Sequence, residues 1–150
     1  MNVAIRRLAR SDLDTWVKMR QALWPEPNLQ THAAEIEEML GCDDMWAFVA
    51  ESDGGEPLGF AELAIRPYAN GCDSRPIPFL EGIWVDPAMR RHSVGARLIA
   101  YVEAFLTARG FSELGSDTPI ENHGSQIAHR GWGFEETERV VYFRKRFSCE

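Results

Sequence analysis

The sequence predicts an α/β fold of the mixed α+β kind: one mostly antiparallel sheet with a central parallel strand pair and flanking helices. Three observations predict it. The apolar run at 79–85 and a strand-like segment at 111–116 enclose a long amphipathic helix, and a strand–helix–strand unit of this sort crosses over right-handedly to make a parallel pair. The turn signal Asp53-Gly54-Gly55 separates two strand-like runs, which marks a hairpin and antiparallel pairing. Two helical patterns stand together between the first and second strands, so the order is not that of a doubly wound sheet.

The first strand is read at 3–8. Ser11-Asp12-Leu13-Asp14 follows as a helix start, with Ser11 as N-cap and acids in the first turn. Leu13, Trp16, Val17 and Leu23 recur near helical spacing, and Pro25 and Pro27 end that helix. A second helix is expected over 31–40 on the stripe Ile36, Met39 and Leu40, with Gly41 as its C-terminal cap. Strands at 46–51 and 58–66 form the hairpin. A polar loop over 67–78 holds Asn70-Gly71, and the most apolar strand covers 79–85. Beyond an arginine-rich loop, Leu98, Val102, Phe105 and Leu106 stripe a helix over 95–109 with Gly110 after it. A strand at 111–116, a short helix at 122–130 and a last strand at 136–147 complete the order β-α-α-β-β-β-α-β-α-β. No linker or internal repeat divides the chain, so residues 1–150 are expected to form a single domain.

Bulk properties exclude several classes. Sixteen basic against 23 acidic residues give a net charge of −7, which disfavours nucleic acid as a partner and suits a cationic one. No apolar run reaches the roughly 18 residues of a membrane span, and residues 1–14 do not read as a signal peptide; the expected location is cytoplasmic. Cys42, Cys72 and Cys149 are widely spaced, odd in number and without a C-x-x-C pair, and the four histidines are scattered. Neither a disulfide framework nor a metal site is expected.

Arg90-Arg91-His92-Ser93-Val94-Gly95-Ala96 lies between a strand and a long helix. A helix N-terminus there offers unpaired N–H groups and a positive dipole end to an anion, and the two arginines add charge. The segment is neither a P-loop nor a dinucleotide-binding fingerprint. Taken alone, phosphate binding and an ordinary basic loop are about equal readings of it.

The same segment resembles the acetyl-CoA loop of the GNAT superfamily, [Q/R]-x-x-G-x-[G/A], and Gly133-Phe134-Glu135-Glu136 resembles that family's closing G-F-x-E. Further blocks are similar to the aminoglycoside 6'-N-acetyltransferases within it. They are Trp24-Pro25, Tyr68-Ala69-Asn70-Gly71-Cys72-Asp73-Ser74, Phe79-Leu80-Glu81-Gly82-Ile83, Gly115-Ser116-Asp117-Thr118 and Glu136-Thr137-Glu138-Arg139-Val140. They run in order through nearly the whole chain. The resemblance implies a GNAT fold with its parallel pair splayed for acetyl-CoA, acetyl-CoA as co-substrate, no metal, a homodimer, and acetylation of the 6'-amine of aminoglycoside antibiotics, which confers resistance. It implies that the amides of Arg90, Arg91, His92, Ser93, Val94, Gly95 and Ala96 hold the pyrophosphate. Ile83, Trp84, Val85 and Asn122 are implied to hold the pantetheine. Two positions depart from the pattern. Ser93 replaces the first loop glycine, and His129 stands where many members carry a tyrosine acid.

Glu81 interrupts an apolar strand, where a carboxylate is costly unless paired or facing a cleft. Asp117 ends the 111–116 strand and by itself reads as a turn cap before Pro119. The resemblance makes Asp117, with Glu81 and Glu138, an acceptor-side acid, and Trp24 and Tyr68 walls for a sugar. An ammonium must lose its proton before attacking a thioester, so Asp117 is the expected base, Glu81 the alternative, and His129 or solvent the source of the proton for the leaving thiolate. The Val85 N–H is the expected oxyanion donor. A polyamine or protein N-terminus as acceptor, and a CoA-binding sensor without turnover, are the competing readings.

Overall fold

The structure is a computed structural model that describes residues 2–148. Its order is β1 (Ala4–Arg7), α1 (Leu13–Leu23), α2 (Leu29–Leu40), β2 (Met45–Glu51), β3 (Pro57–Arg66), β4 (Ile77–Val85), α3 (Val94–Thr107), β5 (Gly115–Ser116) and α4 (His123–Gly131), with 3₁₀ turns at Arg10–Asp12 and Pro87–Met89. Packing divides the chain into a first unit ending at Asp117 and a second beginning at Thr118.

The first unit carries a five-stranded sheet in the order β1-β2-β3-β4-β5, antiparallel until the parallel β4–β5 pair. The hairpin turn forms as read, with Gly55 at φ 79° and its N–H donating to the Ser52 carbonyl. Alternation along β2 gives the sheet two covered faces. Ala47 and Val49 join Trp16, Met19 and Ile36 under α1 and α2. Phe48 points the other way, edge-on to Tyr101 and Phe105 of α3 at 5.3 and 4.9 Å. Phe60 and Ile36 are fully buried, and each contributes about 2–3 kcal/mol of hydrophobic stabilisation.

Several element ends differ from the sequence reading. Ser11 is not an N-cap: it falls inside the 3₁₀ turn, where Asp12 accepts from the Ala9 N–H and pairs with Arg6. Helix α2 begins two residues early because Asn28 caps it, accepting from the Thr31 N–H. Gly41 follows α2 at φ −92°, so no left-handed cap is formed there. β5 shrinks to two residues, with Phe79 opposite Gly115 and Leu80 opposite Ser116.

In the second unit, α4 is capped by Asn122, whose side chain accepts from the Ser125 N–H. It closes with Gly133 at φ 94° and the Phe134 N–H on the His129 carbonyl, a left-handed C-terminal cap that explains the glycine of Gly133-Phe134. The expected last strand is not formed. Among the described residues, 134–148 have no paired strand. A strand is defined by its neighbour, and the apolar pattern that suggested one is left exposed: Val140 47%, Val141 76%, Tyr142 80%, Phe143 92%. In consequence the parallel pair closes the described sheet rather than standing at its centre.

Candidate active site

The site is built around β4. Glu62 pairs with Gly82 across β3–β4, but Leu63 pairs with Leu80, so Glu81 is the extra residue of a β-bulge. Such a bulge re-aims the side chain it carries. Glu81 comes to line a cavity of about 820 Å³ together with Glu62 of β3, Trp24 at the end of α1, Glu26 in the α1–α2 turn, and Glu35 and Glu38 of α2. Five carboxylates and one arginine, Arg20, face this space, and its field favours a cation.

Not all of these acids are alike. Both Glu81 oxygens are held by the Arg66 guanidinium at 2.7 and 2.8 Å. Glu62 is 3% exposed and takes hydrogen bonds from Trp16 Nε1 at 2.8 Å and Arg20 Nη1 at 2.6 Å. Burial pushes its carboxyl above the usual range, and the Arg20 charge opposes that. Glu62 sits in the apolar run Phe60-Ala61-Glu62-Leu63, and the rule that singles out Glu81 singles it out as well. Glu35 and Glu38 had a fainter signal, one acidic turn on the helix that carries Met39.

The strand register shows how β4 presents its backbone. β5 pairs only as far as Leu80↔Ser116, so from Glu81 onward β4 has, among the described residues, a strand neighbour on the β3 side alone. Asp86 N–H donates to the Leu58 carbonyl at 2.9 Å, which makes Gly59↔Val85 a pair without mutual hydrogen bonds. By antiparallel alternation Ala61↔Ile83 is another. The N–H groups of Val85 and Ile83 therefore point away from β3, to the side β5 has left. Asp117 follows Ser116 as Glu81 follows Leu80, so the two acids share one register position just past the last paired residues.

After β4, Arg90, Arg91, His92 and Ser93 are exposed, and Val94 and Gly95 are buried as α3 begins. Arg91 and Ser93 have φ of 73° and 61°, the left-handed region that glycine enters freely. The Ser93 hydroxyl makes no cap bond, and the first helical bond is Arg97 N–H to the Ser93 carbonyl. The opening N–H groups of α3 lack a side-chain cap, which suits an anion beside two arginines.

The structure brings Trp24 and Glu81 onto one cavity. Tyr68 does not line it; the ring is 58% exposed with the Arg75 guanidinium 5.7 Å from its centre. Asp117 is exposed and outside the cavity lining. In the second unit Glu138 lies in the exposed segment that forms no strand. His129 Nδ1 donates to the Ser125 carbonyl at 2.7 Å, and its ring stands 5.0 Å from Phe134. Asn122 uses its side-chain oxygen to cap α4. Cys42 and Cys72 are free thiols, and Cys149 lies outside the described residues.

A sheet that opens at its parallel pair, beside a basic loop and an acid-lined cavity, is the framework of a group-transfer enzyme with an anionic donor and a cationic acceptor. The sequence model of the acetyltransferase (GNAT) family matches residues 13–134. The aminoglycoside N(6')-acetyltransferase type 1 of Salmonella typhimurium is 47% identical over 143 residues, covering 95% of this chain and 98% of that protein. Its counterpart from Serratia marcescens is 47% identical, covering 89% and 92%. The solved structure of AAC(6')-Iy in complex with the bisubstrate analogue CoA-S-monomethyl-acetylneamine superposes with a TM-score of 0.91 at 44% identity, covering 98% of this chain and all of that one. The chain belongs to the GNAT acetyltransferase family.

Proposed function

We propose that the protein is an aminoglycoside 6'-N-acetyltransferase that moves the acetyl group of acetyl-CoA to the 6'-amine of the antibiotic. The observation that carries this reading is the acid-lined cavity, walled by Trp24, at the point where β4 parts from β5. A protonated amino sugar meets negative charge on the cavity and an apolar ring for its sugar face. Relatives of nearly full-length similarity bearing that activity in their names support it.

The reaction follows from these parts. The amides of Arg90, Arg91, His92, Ser93, Val94, Gly95 and Ala96 serve the pyrophosphate. The open edge of β4 at Ile83, Trp84 and Val85 serves the pantetheine, to which the resemblance also assigns Asn122. A carboxylate removes the ammonium proton, and the amine attacks the thioester carbonyl. The Val85 N–H, turned away from β3, donates to the tetrahedral oxyanion. The nitrogen gives up its second proton to solvent as the tetrahedral adduct collapses, and the thiolate leaves and takes a proton from solvent or from His129. Asp117 suits the base better than Glu81, because Arg66 occupies both Glu81 oxygens. With Tyr68 and Glu138 the acceptor set is that of the resemblance. No covalent enzyme intermediate is needed, and the acetamide has lost the cation that made the drug bind.

The family model runs across the boundary at Asp117, which supports one functional domain over 1–150. No helix among the described residues is long and apolar enough to cross a membrane; a cytoplasmic location fits an enzyme that draws on acetyl-CoA. The exposed Val141, Tyr142, Phe143 and Phe147 support a homodimer that covers them, and sedimentation should give twice the chain mass. Thiol release from acetyl-CoA with kanamycin, spermidine and a peptide with a free N-terminus tests the assignment. Release with kanamycin alone is expected. Release only with spermidine or the peptide, or CoA binding without any release, would overturn it.

A further inference from the structure

Arg20 is 4% exposed and is fully engaged. Its Nη1 donates to Glu62, its Nη2 to Glu35 and its Nε to His32 Nδ1 at 3.2 Å. The flat guanidinium also lies over the Trp24 ring, 4.9 Å from its centre. His32, fully buried, places Nε2 3.0 Å from the Trp24 carbonyl. A carbonyl only accepts, so Nε2 carries the proton and Nδ1 is the acceptor that Arg20 needs. Arg20 therefore grips Trp24 twice, through the ring and through the backbone. The ring also fills the space that Gly82 leaves: a Cβ there would stand 2.4 Å from Trp24 Cζ2.

This arrangement is more than a satisfied core cluster, because its last member is the wall of the acceptor cavity. Arg20 cannot itself receive an ammonium, which it repels. Its charge is matched by Glu62 and Glu35, and its geometry is spent on the indole. Lysine would keep the charge and lose the planar fork and the stack.

We propose that Arg20 is a positioning residue for the acceptor: anchored by Glu62 and His32, it fixes the Trp24 ring against Gly82, and that ring sets the fit of the amino sugar. The proposal rests on the acceptor reading given above. Two variants act on the ring through different contacts, Arg20→Lys by loosening it and Gly82→Ala by displacing it. Each is expected to raise the KM for kanamycin about tenfold, since small misplacements of positioning groups are costly. The KM for acetyl-CoA and kcat should stay within about twofold. In a Trp24→Ala background neither substitution should raise the kanamycin KM further, the signature of one shared element. Loss of kcat and of both KM values together, or full additivity with Trp24→Ala, would overturn the proposal. If Arg20→Lys fails to fold, Gly82→Ala decides on the same readouts. A wild-type protein that releases no thiol with kanamycin fails the acceptor reading instead, independently of these variants.

Discussion

Replacing Ser93 by glycine should stabilise the protein. Ser93 holds φ 61°, ψ 23° with no hydrogen bond from its hydroxyl to the opening turn of α3. A left-handed backbone costs a residue with a Cβ about 1–2 kcal/mol, and glycine removes that strain while adding about 0.5–1 kcal/mol of chain entropy to the unfolded state. The net gain is about 0.5–1 kcal/mol, or about 1–4 °C in Tm for a chain of this length. Ser93→Ala is the control, because it removes the hydroxyl and keeps the strain, so its Tm should match the wild type. Scanning calorimetry without acetyl-CoA reads both. A glycine variant no more stable than the alanine variant would refute the reasoning. It would mean that the loop holds its left-handed turn without cost, or that the hydroxyl makes a bond the geometry denies.

Further outcomes are expected on the same grounds. Asp117→Asn should lower kcat at least about 100-fold, the usual worth of a positioned base, with acetyl-CoA affinity unchanged by calorimetry; equal turnover would remove Asp117 from that role. Arg90→Gln with Arg91→Gln should raise the acetyl-CoA KM about tenfold, with the gap to wild type narrowing as salt is added. Asp12 is held below its ordinary value near 3.8, first by hydrogen bonding to Arg6. A depressed carboxylate stabilises the fold fully above the unfolded value and loses that contribution as pH falls through the folded one. Asp12→Asn should therefore cost about 1 kcal/mol at pH 7, and the difference should vanish in denaturant melts below the ordinary aspartate range.

Much of this architecture was legible because local chemistry dictates it. The hairpin follows from Asp53-Gly54-Gly55, the crossover from the α3 stripe, and the break after α1 from Pro25 and Pro27. What escaped depends on partners distant in sequence. Glu81 could be singled out as a carboxylate in an apolar strand, yet the bulge that turns it and the Arg66 that grips it come from β3. Glu62 carried the same signal with deeper burial, and only Arg20 and Trp16 explain how it is tolerated. Residues 136–147 carry the apolar run Val140-Val141-Tyr142-Phe143 but have no neighbour in the described sheet. Ser93 was recognisable as standing in a glycine's place, and its left-handed backbone bears that out.

The central claim is chemical: an acetyl group passes from a thioester at the open edge of β4 to one amine of a sugar held in the acidic cavity. Nuclear magnetic resonance of the product formed from acetyl-CoA and kanamycin tests it most directly. The account predicts a single acetamide at the 6'-nitrogen with one thiol released per product; acetylation at another nitrogen, or thiol release without an acetylated amine, would contradict it.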